Sequence, residues 1–175
     1  MADKFEYYDT GADDEEVVYL AHWRGQTFTP LAAHKITSVK LPLFREGNPS
    51  TLTITIETVD GSGHPSGSIL CSGTIDGNTF TTNSAGTWYE ITLGAGADLD
   101  AATQYAIVAK CLGGDVSNRV KWKKDASSPT YPRGAREWSM DSGVNWTTST
   151  AIDCLFEDWG EAIAVAGRSF GFIIG

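Results

Sequence analysis

Apolar and polar residues alternate along much of this chain, and the alternation is clearest over residues 51–57. Leu52, Ile54 and Ile56 fall on one side of that segment, and threonines and a glutamate fall on the other. A period of two residues indicates a β-strand with one buried face. Similar runs recur, with Gly, Pro, Asn or Asp breaks about every 8 to 12 residues. The pattern predicts strands over residues 17–20, 26–29, 34–45, 51–57, 68–75, 79–82, 87–93, 104–112, 119–123, 136–140, 145–148 and 152–158.

The sequence has no amphipathic helix of useful length and no internal repeat of about 20 to 50 residues. Many short strands joined by turns are typical of antiparallel sandwiches. The pattern therefore predicts an all-β fold, a two-sheet antiparallel β-sandwich that is jelly-roll-like. A chain of 175 residues suits one domain that buries about 70% of its unfolded surface without disulfides or metals.

Charge and hydropathy divide the chain into three parts. Residues 1–16 contain seven acidic residues and one lysine, whereas the rest of the chain is nearly balanced. Charge runs usually lie in solvent, so we expect residues 1–16 to form an acidic N-terminal arm. Residues 17–160 are expected to form the β-sandwich domain. Residues 161–175 are expected to form an apolar C-terminal strand or tail that serves assembly or docks on the domain itself.

The net charge of −9 disfavours binding to nucleic acid and to anionic membrane surfaces. No apolar run reaches the roughly 18 residues that a membrane span needs. Acidic residues interrupt every apolar run before residue 17, so we expect no signal peptide and synthesis in the cytoplasm.

The residues that usually perform chemistry are scattered. Cys71, Cys111 and Cys154 are odd in number, far apart and flanked by apolar residues, so we expect buried free thiols. The three histidines are isolated, and their spacing predicts no metal site. No nucleophile, base and orienting group can be assembled from the sequence. We therefore expect a non-enzymatic protein without a cofactor.

Residues 139–146 have the form Ser-x-Asp-x-Gly-x-x-Trp, which resembles the Asp-box of sialidases and related propellers. In those families the box is structural and occurs once in each blade, whereas this chain contains it once. The pattern predicts a β-turn. Asp141 would accept backbone N–H bonds, Gly143 would adopt a positive φ, and Trp146 would pack under the loop.

Several aromatic residues fall close together over residues 122–146, in a stretch that also contains Arg133 and Arg136. Flat rings and charged groups in such proximity are typical of sugar-binding platforms, because rings meet sugar faces and charged groups bind hydroxyls. Aromatic residues also serve as core and loop-packing residues, and both interpretations stay open. The candidate glycan-binding residues are Trp122, Tyr131, Trp138 and Trp146.

The segment that follows Gly160 is rich in apolar residues. An apolar strand at a chain end has to be covered, because it would otherwise promote aggregation. It can fold back on its own sheet or pair with a neighbouring subunit. The candidate assembly residues are Ile163, Val165, Phe170, Phe172, Ile173 and Ile174.

Five segments between residues 17 and 160 resemble a β-sandwich module that recurs in tailed-phage and metagenomic viral proteins and in bacterial surface proteins. They are residues 26–30, 34–41, 88–93, 105–108 and 156–160. The resemblance implies a non-enzymatic virion protein, a capsid decoration protein or a head or tail fibre module. Such a protein would be made in the host cytoplasm, form homo-oligomers and attach to a phage coat or tail protein through its terminal segments. The alternative is a carbohydrate-binding, adhesin-like module of a viral or bacterial surface protein.

Overall fold

The computed structural model describes residues 2–163 and contains thirteen β-strands and one short 3₁₀ turn at Gly77–Thr79 within them. The strands are β1 (Asp3–Tyr8), β2 (Asp14–Val18), β3 (Trp23–Phe28), β4 (His34–Glu46), β5 (Thr51–Val59), β6 (Pro65–Asp76), β7 (Thr87–Leu99), β8 (Tyr105–Lys110), β9 (Arg119–Asp125), β10 (Arg136–Ser139), β11 (Thr147–Ser149), β12 (Asp153–Cys154) and β13 (Phe156–Ala162).

Eight of these strands form a jelly roll. Strands β2, β9, β4 and β7 are neighbours in that order in one sheet, and β3, β8, β5 and β6 are neighbours in that order in the other. All of these pairs are antiparallel, and the chain passes repeatedly from one sheet to the other, which is the double Greek-key arrangement. The predicted all-β, two-sheet antiparallel sandwich is confirmed.

The remaining strands widen both sheets. Strands β10 and β11 extend the second sheet beyond β3 to six strands. In the first sheet β13 lies between β1 and β4, and β12 pairs with the end of β9, which gives seven strands. The first sheet therefore contains both the first and the last strand of the described chain.

The core lies between the two sheets. Leu52, Ile54 and Ile56 of β5 are fully buried on its inner side, as their period-two spacing predicts. Trp122 of β9 is also fully buried, and its indole Nε1 donates a hydrogen bond to the carbonyl oxygen of Leu155 at 2.7 Å. Each buried side chain of this size stabilises the fold by about 1.5 to 3 kcal/mol.

The N-terminal segment is part of the sandwich, and the prediction of a solvated acidic arm over residues 1–16 is wrong. Strand β1 pairs with β13, and β2 pairs with β9. Glu6 and Glu16 are buried, at 1% and 3% exposure. Their charges are balanced by cations from other parts of the chain, since Glu6 accepts hydrogen bonds from Arg133 and Glu16 accepts one from Lys124.

Other local predictions also need correction. Residues 79–82 do not form a strand, because the carboxylate of Asp76 accepts a hydrogen bond from the backbone of Asn78 and begins the 3₁₀ turn instead. Pro42 suggests an edge strand or a bulge, yet β4 lies inside its sheet. The proline is tolerated because it falls between Lys40, the last residue paired with β13, and Leu43, the first paired with β9.

Three further expectations concern the cysteines, the C-terminal segment and membrane-spanning helices. All three cysteines are buried and free, as expected. Ile163 follows β13 and is 41% exposed. The other candidate assembly residues, Val165, Phe170, Phe172, Ile173 and Ile174, lie outside the described residues, so the assembly strand stays a prediction. Over residues 2–163, no helix is long and apolar enough to cross a membrane.

Candidate functional site

The outer face of the six-stranded sheet contains polar side chains that are buried. Glu137, Gly25, Val108 and Thr55 stand opposite one another across β10, β3, β8 and β5. This face points away from the core, because the strand neighbours of Thr55 and Val108 belong to the core. Nevertheless Glu137 is only 1% exposed, and Thr55 and Glu57 are buried as well. Part of the chain therefore covers this face.

The covering segment consists of residues 60–67, between the end of β5 and the first residues of β6. Pro65 lies over β3, since a Cβ atom at Gly25 would be 3.8 Å from the Pro65 ring. The backbone N–H of Gly67 donates to Oε2 of Glu57 at 3.0 Å. Oδ1 of Asp60 accepts from the backbone N–H groups of Ser62 and His64 and closes the turn.

One cluster, formed by His64, Glu137 and Thr148, connects the covering segment to the sheet. Nδ1 of His64 is 2.9 Å from Oε2 of Glu137, and the Thr148 hydroxyl donates to Oε1 of Glu137 at 2.5 Å. Because a carboxylate only accepts hydrogen bonds, Nδ1 of His64 must hold a proton. In the neutral imidazole Nε2 is then an acceptor, and it lies on the side of the ring away from Glu137.

Two cavities border the covering segment. The hydroxyl-lined cavity has a volume of about 490 Å³, and its polar lining includes Thr29, Ser62, Gln104, Arg133, Glu137, Thr148 and Thr150. The Trp146 cavity has a volume of about 440 Å³ and lies between the covering segment and the β10–β11 loop. It is lined by Asp60, His64, Pro65, Ser66, Gly143, Val144, Asn145 and Trp146. Since His64 contacts Glu137 and Thr148, the two cavities adjoin at the cluster.

The β10–β11 loop has the predicted turn. Asp141 accepts hydrogen bonds from the side chain and the backbone N–H of Asn145 and from the hydroxyl of Ser139, and these bonds lower the pKa of Asp141 to about 2. Gly143 has a φ of +82°, and a Cβ atom there would be 2.8 Å from the ring of Trp23. These bonds and the close packing of Gly143 against Trp23 define the shape of the loop, and Trp146 at its end lines the cavity.

The four candidate glycan-binding residues have different positions. Trp122 is fully buried, and Tyr131 is buried with its hydroxyl donating to Glu6 at 3.0 Å, so the prediction is wrong for both. Sugar stacking needs an exposed ring face, and these rings pack inside the sandwich. Trp138 is half-buried beneath the guanidinium of Arg136, at 4.2 Å, and lines a separate cavity of about 210 Å³. Trp146 lines the cavity on the outer face.

Sequence reasoning missed the residues of the cluster and Asp60. His64 is isolated in the sequence, with no second histidine near it. Its partner Glu137 is 73 residues away, and Thr148 is 84 residues away. The glycine-rich stretch around Asp60 was an available signal, because such loops bring backbone and short polar side chains close to ligands.

The buried histidine, His34, is structural. Nε2 of His34 is 2.8 Å from Oδ2 of Asp158, both side chains are fully buried, and Phe5 stacks on the imidazole at 4.0 Å. Burial alone would lower the pKa of His34, but the hydrogen bond to Asp158 outweighs it and the pKa is raised. Burial also raises the pKa of Asp158. This pair lies between the sheets and holds β4 against β13.

Within residues 2–163 no group of three or more His, Cys, Asp or Glu side chains is arranged to hold a metal ion. The sequence matches no protein-family model and no curated protein. The jelly-roll fold and the geometry of its outer face are therefore the grounds on which a function can be assigned.

Proposed function

We propose that this chain is a non-enzymatic, carbohydrate-binding jelly-roll module. One observation supports it above the others: the Trp146 cavity combines an aromatic ring with hydrogen-bonding groups from Asp60, His64 and Asn145. The C–H groups on the flat side of a pyranose ring are attracted to the negative face of an indole. Its hydroxyls then need polar partners at the rim. A concave site with a few convergent polar groups is the usual form of a ligand-binding site.

The His64 cluster favours binding over catalysis. A nucleophile–histidine–acid triad uses both ring nitrogens, one toward the nucleophile and one toward the acid. Here Thr148 and Glu137 both contact the same atom, Nδ1 of His64, at 3.1 and 2.9 Å. The imidazole therefore cannot pass a proton from the Thr148 hydroxyl to the carboxylate. The hydrogen bond to Glu137 instead fixes the orientation of the His64 ring and the position of the covering segment.

The experiment is a glycan array probed with the full chain, followed by calorimetry on any glycan that binds. Trp146→Ala should weaken binding by about tenfold or more, since it removes the stacking surface. Trp88→Ala is the matched control, because Trp88 is 38% exposed on β7 of the other sheet. Absence of binding to every glycan on the array would overturn the proposal.

A second proposal is that the module belongs to a phage virion, forms homo-oligomers through its C-terminal segment and attaches to a coat or tail protein. The β-sandwich is common to the modules that the sequence resembles. The apolar sequence after Ile163 supports attachment, because it continues directly from β13 in the middle of a sheet. The acidic N-terminal segment no longer supports it, since β1 and β2 are paired within the sandwich.

Light scattering on the full chain and on a chain that ends at Ile163 tests this role. Ending at Ile163 keeps the pair between Ala162 and His34 and so preserves β13. The proposal predicts an oligomer for the full chain and a folded monomer for the shorter one. Two folded monomers would contradict self-assembly through the C-terminal segment.

A further inference from the structure

We infer that the Trp146 cavity selects neutral sugars, such as hexoses and N-acetylhexosamines, and rejects acidic ones. The inference rests on the proposed function and adds the ligand class. It follows from the hydrogen-bonding groups that remain available in the cavity after the internal bonds of the protein are counted.

Asp60 supplies the first free acceptor. Its Oδ1 is occupied by the backbone N–H groups of His64 and Ser62, at 3.0 and 2.8 Å. These bonds lower the pKa of Asp60, the one from His64 most, so the side chain is a carboxylate at neutral pH. Among the described residues Oδ2 accepts no hydrogen bond, and Asp60 lines the cavity. A carboxylate offers no proton to a ligand, so it binds hydroxyl or amide donors.

His64 and Asn145 supply the second and third acceptors. Nδ1 of His64 donates to Glu137, which leaves Nε2 as an acceptor in the neutral ring. The side-chain nitrogen of Asn145 donates to Oδ2 of Asp141 at 2.6 Å, which leaves its carbonyl oxygen for a ligand. Asp60 and His64 of the covering segment and Asn145 of the β10–β11 loop thus line the same cavity as the Trp146 ring.

The charge of the residues that line the cavity also favours neutral sugars over acidic ones. The residues that line the Trp146 cavity include the Asp60 carboxylate and no lysine or arginine. The chain as a whole has a net charge of −9. A sugar carboxylate or sulfate placed here would face a like charge without a compensating cation, which is a strong means of rejection. The hydroxyls of a neutral sugar can instead donate to all three acceptors.

The test uses pairs of related glycans, one member neutral and the other acidic. The full chain is titrated by calorimetry with N-acetyllactosamine and its sialylated form, and with galactan and galacturonan oligosaccharides. The inference predicts that the neutral member of a pair binds at least about tenfold more tightly. Asp60→Asn should reduce the preference for the neutral member of each pair. The Asn side chain keeps the oxygen that closes the turn and removes the negative charge.

Asp115→Asn is the matched control. Asp115 is an exposed loop aspartate that also accepts backbone N–H bonds, from Ser117 and Asn118, and it does not line the cavity. Its replacement should leave that preference unchanged. Tighter binding of the acidic members would overturn the inference and leave the proposed function standing. A failure of both members of every pair, and of all array glycans, to bind would overturn the proposed function itself.

Discussion

Glu16 is the anion at the centre of a buried ionic cluster, and replacing it tests how the N-terminal segment is held. Its carboxylate contacts Arg24 Nε at 2.7 Å, Lys124 Nζ at 2.7 Å and Arg136 Nη2 at 2.9 Å, and its side chain is 4% exposed. Glu16→Gln preserves the shape and removes the charge. Three cations would then remain close together in a largely buried site, without the carboxylate that they share.

Loss of one partner from a buried ion pair costs about 3 to 5 kcal/mol. That is a large part of the roughly 5 to 15 kcal/mol that stabilises a typical domain. With a urea m value of about 2 kcal/mol/M, a loss of about 4 kcal/mol lowers the unfolding midpoint by about 2 M. Urea denaturation followed by tryptophan fluorescence measures this shift.

Glu15→Gln is the control on the same strand. The Glu15 side chain is 31% exposed and contacts Lys121 and Lys123 at 3.4 and 3.6 Å. Because Glu15 is partly exposed and Lys121 keeps its contact with Glu46 at 3.3 Å, the loss should be about 1 kcal/mol or less, and this variant should unfold close to the wild-type midpoint. Equal losses in the two variants, or a loss below about 1 kcal/mol in Glu16→Gln, would refute the reasoning.

The same cluster has a pH signature. Burial opposes ionisation of Glu16, but its contacts with Arg136 and Lys124 outweigh burial and lower its pKa below the ordinary value of 4.5. The stability that Glu16 contributes is therefore present above pH 4.5 and is lost as the pH falls through the folded-state pKa. The acid side of the stability curve should be shallower in Glu16→Gln than in wild type.

Three further predictions concern other parts of the fold. The cysteine thiols are buried, and burial raises the pKa of Cys71 and of Cys111 to about 11. Ellman's reagent should therefore label none of the cysteines in the native protein and all three after unfolding. Rapid labelling of the native protein would contradict this. Gly143→Ala should lower the free energy of unfolding by about 1 to 3 kcal/mol, because the new Cβ atom would sit at a positive φ and clash with the ring of Trp23. An unchanged melting temperature would contradict this prediction. Because the pKa of His34 is raised, the stability that His34 contributes is lost as pH rises above 6.5 through the folded-state pKa. In urea denaturation at several pH values, His34→Gln should reduce the change of unfolding free energy with pH over this range. An identical change in the variant and the wild type would assign the pH dependence to other groups.

The strands could be predicted from the sequence because their signal is local. The alternation of Leu52, Ile54 and Ile56 fixes both the strand and its buried face. The same alternation also predicts that Trp122 is buried, since Val120 and Trp122 alternate with lysines. Both residues are fully buried in the structure. The burial of Trp122 could have been inferred from the sequence by applying the pattern to that segment.

The charged residues could not be placed in this way. Glu6 and Glu16 are acidic residues in an acidic segment, and their burial depends on Arg133 and Lys124, which are more than 100 residues away in the sequence. Pairing over such separations leaves no periodic signal. The outer face is similar, because its cluster joins the β10–β11 hairpin to His64, which is 73 residues from Glu137 in the sequence.

The measurement that tests the central claim most directly is an ¹⁵N NMR titration of the indole N–H groups with a glycan that binds. The chain has six tryptophans, and the Trp146→Ala variant identifies the Trp146 signal by its absence. Binding on the outer face predicts that the Trp146 signal moves and that the signal of the buried Trp122 keeps its position. Movement at Trp88 on the opposite sheet, with the Trp146 signal unchanged, would contradict the account.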